Sequence, residues 1–409
     1  MPGGIPGLIV GAGIAVHLVY LASLHLGWLN RLFNDSSHTG QGFDFAVYYL
    51  AGQAVQAGRD VYGIEAGFGF RYLPAFAHLV ARGFSFLPAP TAYLVYLGIT
   101  ELVLAADLWL TCRWVPEGGI RRATVLFLWL TSTPLYLELY IGQVSFWAAS
   151  LLYLLLWTVA SGRTHLGAAA WIAAVLVKPN ALILGPAFLR QRRWWAVAAC
   201  AAVVIGSSLP HFLAYPGSWA AFRAANLETG GVQGALTHAG NLGLWGALVS
   251  VAAKAAGLPL AGLSTLADLP LWGRLLVLSG PVVALGGAAL ATLRTRHADP
   301  LLPYTLWLTT FFLVYKDVWE HHYVFLLPVL AVLYHRTGQP WLLVAFAAVA
   351  LPTPFFLLDL SPGVKGPIDP ERSWDLATSL FYRCTKLVPV AVLWGWQVRR
   401  LLQPERHPK

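Results

Sequence analysis

Runs of about twenty apolar residues, the length that crosses a bilayer as a helix, recur along this 409-residue chain from Ile5–Leu29 onward. In hydrocarbon, backbone N–H and C=O groups have no water to bond, so spanning segments of this length must satisfy them internally as helices. Only 11% of the residues are charged and 57% are hydrophobic. Soluble domains average roughly 25% charged residues, so this chain has too few to cover a water-facing surface. Its 18 Trp suit the headgroup belts where amphipathic rings concentrate. The sequence therefore predicts an all-α polytopic membrane protein, a single membrane domain over residues 1–409. The first apolar run has no basic stretch before it and no small-residue cleavage site after it. It is read as an uncleaved span rather than a signal peptide.

Short loops bearing arginine mark the cytoplasmic side. Arg113–Arg122, Arg163, Arg190–Arg193, Arg294–Arg296, Arg336 and the stretch from Arg399 hold 14 of the 27 Lys and Arg. The other connections are longer and carry most of the acids, which puts both termini in the cytoplasm. Alternation holds if Asn241–Gly257, interrupted by Lys254, is an amphipathic helix on the outer surface. It also requires Leu166–Leu189, interrupted at Lys178-Pro179-Asn180, to be a hairpin of two short helices, because Pro cannot continue the ladder. The count is then about 12 spans by the twenty-residue rule, with large outer segments at 34–90 and 215–270. Half-length helices with a polar break are tolerated only where they line a protein cavity, so the break at Lys178 marks a site.

The net charge of +9 comes from scattered loop arginines, which orient the chain and attract anionic lipid. No basic stripe or nucleic-acid-binding motif is present. Cys112, Cys200 and Cys384 are far apart and lack metal or redox spacing.

The polar residues that interrupt the apolar pattern gather at the outer ends of the spans. After Asp44, residues Phe45, Tyr48, Tyr49, Gly52 and Val55 recur at helical spacing, as in a helix lying in the interface plane. Asp44 is then either the N-cap of that helix, where Asp is favoured, or a functional carboxylate. Arg71 suits an anionic headgroup or a substrate phosphate, and equally a lipid anchor. Gly142-Gln143 is an ordinary tight turn or a place where Gln143 bonds a sugar hydroxyl. Lys178 is an ammonium at membrane depth, where charge is costly unless paired or used. Glu101 and Asp107 in the second span read as structural, and Glu138 lies near the end of the third. The densest cluster is Lys316-Asp317-Val318-Trp319-Glu320-His321-His322-Tyr323. Adjacent histidines on a helix point apart, unlike metal ligands at i and i+4, so a phosphate or sugar suits His321 and His322 better than zinc.

Taken in order, these segments resemble glycosyltransferase family 87, polyprenyl-phosphate-sugar-dependent enzymes of the GT-C superfamily whose mycobacterial members mannosylate phosphatidylinositol mannosides. The similar stretches are Asp44-Phe45 with Tyr48-Tyr49-Leu50-Ala51-Gly52, Gly58-Arg59-Asp60-Val61-Tyr62, Tyr72-Leu73-Pro74, Gly142-Gln143-Val144, Lys178-Pro179 and Trp319-Glu320-His321-His322-Tyr323. The chain departs from the family at Asn241-Leu242-Gly243 and at Lys316-Asp317, differences that bear on sugar and acceptor identity. The resemblance implies a GT-C fold with the active site on the periplasmic or equivalent face of the cell membrane. It implies a hexose, with mannose expected, moved with inversion from a polyprenyl-phosphate sugar donor to a lipid-linked or glycolipid acceptor; no acidic cluster with ligand-like spacing appears, so neither metal nor cofactor is expected. Asp44 becomes the expected general base and His322 the group that stabilises the leaving phosphate. Lys178, His321, Arg71, Lys316, Gln143, Tyr62 and Glu320 are the expected ligands of donor phosphate or sugar.

Two other classes share part of this pattern. A secondary transporter also has broken helices and buried charges, but binds near the bilayer midplane between inverted repeats. Here the polar clusters sit at the outer boundary and no convincing repeat is seen. A lipid-linked oligosaccharide ligase or polymerase would take a diphosphate-linked donor and usually present more outer-face arginines.

Overall fold

In the computed structural model the described residues are 4–33, 40–116, 119–226, 240–259, 263, 265–295, 299–358 and 374–403. Arg296, Arg406 and Lys409 of the basic stretches lie outside them. So do residues 34–39, 227–239, 260–262 and 264 of the two large connecting segments.

Every regular element among the described residues is helical. Six helices are long and apolar enough to cross a membrane: Ile5–Leu26, Ala89–Trp114, Ile120–Ile141, Trp194–Ala214, Leu271–Arg294 and Leu376–Leu402. Shorter apolar helices run over Ser145–Ala160, Thr164–Val177, Leu244–Ala255, Leu301–Val314 and Trp341–Ala350. The short Ser145–Ala160 and Leu301–Val314 helices are buried on nearly every side. By contrast, Trp194–Ala214 and Leu271–Arg294 leave Ile205, Leu213, Val282 and Leu293 exposed. Lipid tails solvate such side chains as well as a protein core does, so these two long helices belong to the apolar perimeter and the two short ones to the packed centre, which Ile120–Ile141 joins.

The basic loops meet at one end of the bundle. Arg121 donates to the His335 carbonyl at 3.3 Å, Arg190 donates to the Thr292 and Thr295 carbonyls at 3.0 Å each, and Arg336 pairs with Asp299 at 3.5 Å. Several of these cations sit near helix C-termini, where unpaired carbonyls favour positive charge.

The break at Lys178 is present. Thr164–Val177 ends there, Lys178 is extended, and a 3₁₀ turn over Pro179–Leu184 leads into Gly185–Arg190. Trp171 and Phe188 stack at 4.4 Å between ring centroids, so the two arms fold back on each other as a hairpin. The carboxylates expected to be structural have partners: Glu101 bonds His17 at 2.9 Å, and Asp107 accepts from the Ser150 hydroxyl.

Leu244–Ala255 differs from the expected surface helix. It packs among Leu271–Arg294, Leu301–Val314 and Leu376–Leu402, with Ala252 and Ala253 fully buried. Its small residues allow this close approach. A Cβ on Gly246 would lie 2.7 Å from an Arg383 nitrogen. The interrupting Lys254, half-buried in the last turn, donates to the Trp374 carbonyl at 2.9 Å, which gives its charge a polar partner.

Candidate active site

Five segments end around one cavity with about 840 Å³ of empty space, part of it open to solvent. They are the start of the Phe43–Gln56 helix, the stretch 68–72, the Gly142-Gln143 turn, the Lys178 break and the Tyr315–His322 loop.

Gly42, not Asp44, occupies the N-cap of the first of these. Gly42 is left-handed at φ 71°, its N–H donates to the Tyr140 carbonyl at 2.8 Å, and Asp44 makes no capping bond. The capping alternative for Asp44 therefore does not hold. Its Oδ2 instead accepts from Gln143 Nε2 at 2.9 Å. Gln143 is fixed in that orientation because its Oε1 accepts from Tyr48 at 2.9 Å, Tyr72 at 2.8 Å and the Val144 N–H at 3.2 Å. The Val144 N–H can only donate, so the oxygen lies there and the amide N–H faces Asp44. The turn requires glycine: Gly142 has φ 78°, and a Cβ there would lie 2.4 Å from Phe45 Cβ.

The remaining walls carry donors and cations. Lys178, 6% exposed, donates to the Ser145 hydroxyl and to Gln143 Oε1, the latter at 3.4 Å. Arg71 pairs with Asp317 at 3.4 Å and lies 5.4 Å from the centre of the Phe68 ring. His322 accepts the Trp319 N–H on Nδ1 at 3.0 Å, so its neutral form carries the proton on Nε2.

Burial governs the protonation of this site. It raises the Asp44 carboxyl above the usual carboxylate range, opposed by His321, the Gln143 bond, Lys178 and Arg71. It lowers His321 to about 4 against the pull of Glu138. It also lowers His322 well below the ordinary imidazole range, reinforced by Lys178 and His321. Near neutral pH both histidines are uncharged. They can offer N–H donors to an anion, while the positive charge comes from Arg71 and Lys178. Opposite them stands a carboxylate whose raised basicity suits accepting a proton.

Of the nine residues singled out by sequence, Asp44, Arg71, Gln143, Lys178, His321 and His322 line the cavity. The other three do not. Tyr62 sits behind the wall, donating to the Tyr72 carbonyl at 2.6 Å. Glu320 is buried away from the cavity, accepting from Thr353 N and Oγ1 at 2.7 and 2.6 Å and pairing with Lys386 at 3.4 Å. Lys316 belongs to the loop that Asn241 ties down by a bond to the Lys316 carbonyl at 2.7 Å. The cavity also includes Tyr48, Asn180, Asn226, Tyr315 and Asp317. Tyr48 was detectable as the residue four beyond Asp44, on the same helical face. Asn226 carried no local signal. Among the described residues, no group of three or more His, Cys, Asp or Glu is placed to hold a metal ion.

A comparison with curated proteins finds no match. The family model described as glycosyltransferase family 87 matches residues 70–315. This is more than half of the chain and includes Arg71, Gln143 and Lys178, while Asp44 and His322 fall outside it. The chain belongs to glycosyltransferase family 87.

Proposed function

We propose that this membrane glycosyltransferase moves a hexose, mannose in our reading, from a polyprenyl-phosphate donor to a hydroxyl of a lipid-linked or glycolipid acceptor. The observation that carries the reading is the cavity itself, in which one buried carboxylate, Asp44, faces N–H donors and cations suited to a phosphate. The acceptor oxygen attacks the anomeric carbon, and the bond from that carbon to the phosphate oxygen breaks with its electron pair leaving on phosphate. The acceptor proton passes to Asp44. A phosphate leaving group needs no general acid, unlike a glycoside oxygen, so one carboxylate is enough. Displacement from the opposite face inverts the centre, and a β-linked donor gives an α-linked product.

In this reading His322, with His321, Lys178 and Arg71, stabilises charge growing on the leaving phosphate, as preorganised donors in a poorly hydrated site do. Gln143 orients Asp44, and no metal takes part. The chain crosses the cell membrane about twelve times by the span-length rule, with Leu244–Ala255, too short to cross, packed in the bundle without spanning it. Its arginine-rich end and both termini are cytoplasmic, and the cavity opens on the extracytoplasmic face.

Purified protein supplied with radiolabelled polyprenyl-phosphate-mannose and membrane lipid acceptors is expected to yield labelled glycolipid and free polyprenyl phosphate. Absence of transfer from every polyprenyl-monophosphate sugar tested would rule the reading out.

A further inference from the structure

A second buried carboxylate, Glu138, stands directly behind the cavity and has no part in the chemistry above. Its side chain has no exposed surface. Its backbone carbonyl accepts from the Gly142 and Gln143 N–H groups at 3.0 Å each and from the Tyr96 hydroxyl at 3.0 Å. One carboxylate oxygen accepts from Phe146 N at 2.9 Å, at the start of Ser145–Ala160, where helix N–H groups lack intrahelical partners. A neutral amide would serve that bond equally well, so capping does not account for a carboxyl group there. Burying an ion costs several kcal/mol unless it is compensated.

The compensation lies on the cavity side. The Lys178 ammonium donates to the Ser145 hydroxyl and Glu138 Oε2 accepts the N–H of the next residue, Phe146, so the two groups are held on neighbouring residues, with Glu138 Oε1 buried and without a hydrogen bond. Glu138 is the foremost negative charge acting on Lys178, ahead of Asp44, and the foremost acting on His321. Asp44 is one residue removed from Lys178, through Gln143.

We propose that Glu138 is a positioning residue: from behind the Ser145-Phe146 backbone it holds Lys178 charged and in place at the cavity wall, and so spares Asp44 from being its counter-ion. A carboxylate that neutralises an adjacent ammonium is a weaker base. Dividing the two tasks lets one site hold a phosphate and still take a proton. This inference rests on the reading of the cavity as a site for a phosphate-linked donor.

Glu138→Gln keeps volume and an acceptor for Phe146 N and removes only charge. The probe is binding of undecaprenyl phosphate to the protein in nanodiscs, followed as pH rises. Wild type is expected to lose affinity as Lys178 deprotonates, and Glu138→Gln to move that midpoint down by about one pH unit or more, the scale for loss of an opposite charge close by. Glu138→Asp is expected to restore most of it, and Glu138→Gln to have no further effect when added to Lys178→Met. An unmoved midpoint in Glu138→Gln, or an equal shift in the Lys178→Met background, overturns the proposal.

If wild type binds no polyprenyl phosphate, the donor reading fails. The charge relation is then read from the ligand-free protein, as the alkaline pH step in melting temperature that Lys178→Met abolishes. That step must lie at lower pH in Glu138→Gln, and a step at the wild-type pH overturns the proposal. Where Glu138→Gln does not fold, Glu138→Met, an apolar chain of similar length that needs no partner in the interior, removes the same charge, and no displacement is again decisive against it.

Discussion

Gln143 Nε2 donates to Asp44 Oδ2 at 2.9 Å, joining residues 99 positions apart in the chain. Because the Val144 N–H and the Lys178 ammonium, which can only donate, share the amide oxygen, the amide cannot flip without losing both bonds. The carboxylate is held by a donor of fixed direction.

Asp44→Asn is therefore expected to keep the fold and the cavity while removing the base. A loss of about 10²- to 10⁴-fold in kcat, the usual contribution of a positioned general base, should accompany a melting temperature close to wild type. Turnover within a few-fold of wild type would exclude Asp44 from proton transfer.

The pH profile follows from burial. Activity needs Asp44 ionised, so it falls as pH drops through the Asp44 pKa, which burial raises above the ordinary carboxylate range. With His321 lowered to about 4 and His322 also lowered, no histidine limb is expected near 6.5. His322→Gln should thus reduce kcat yet leave the acid limb of kcat/KM where it is in wild type. Disappearance of the limb in that variant would assign it to His322 instead.

Gly142→Ala combines two penalties. A non-glycine residue at φ 78° pays roughly 1–2 kcal/mol for left-handed backbone. Its Cβ also meets Phe45, the residue after Asp44. Thermal unfolding should report destabilisation of at least about that size, with activity falling further than stability because the Asp44–Gln143 geometry shifts. A fully active, equally stable variant would show that the turn is not what positions Asp44.

Glu320 and Lys386 are each 1% exposed at the side chain and lie 3.4 Å apart. Glu320→Ala strands a buried ammonium, so a loss of about 3–5 kcal/mol in stability is expected, the range for breaking a buried pair from one side. Material that does fold should retain donor KM, since Glu320 does not line the cavity. A raised KM with unchanged melting temperature would instead place Glu320 in substrate binding.

Much of the site was legible because polarity is costly in an apolar chain. Lys178 and the His321-His322 pair stand out against their surroundings, and each lies where a helix breaks. The break itself was readable from Pro179, which cannot donate to the ladder. Less legible were charges with a structural outlet. Glu320 sits beside two cavity histidines in sequence, yet the 3₁₀ turn over Glu320–Phe325 sends it to Lys386 and Thr353. Tyr62 sits in a family-like stretch and packs behind the wall. Residue type cannot distinguish a carboxylate facing a cavity from one facing a buried lysine, because both need a polar partner in the same low-dielectric interior.

The apolar runs by themselves determined that this chain forms packed helices in a bilayer, since no other fold of such segments satisfies its backbone in hydrocarbon. They also placed the polar interruptions, and with them most of the cavity-lining residues. Only the tertiary structure decided that Gly42 rather than Asp44 caps its helix, that Leu244–Ala255 packs within the bundle, and that Glu138 stands behind Lys178. Each outcome depends on which neighbour approaches from far along the chain, as Tyr140 approaches Gly42 and Arg383 approaches Gly246. Local sequence carries the cost of a buried charge, and packing supplies the partner that meets it.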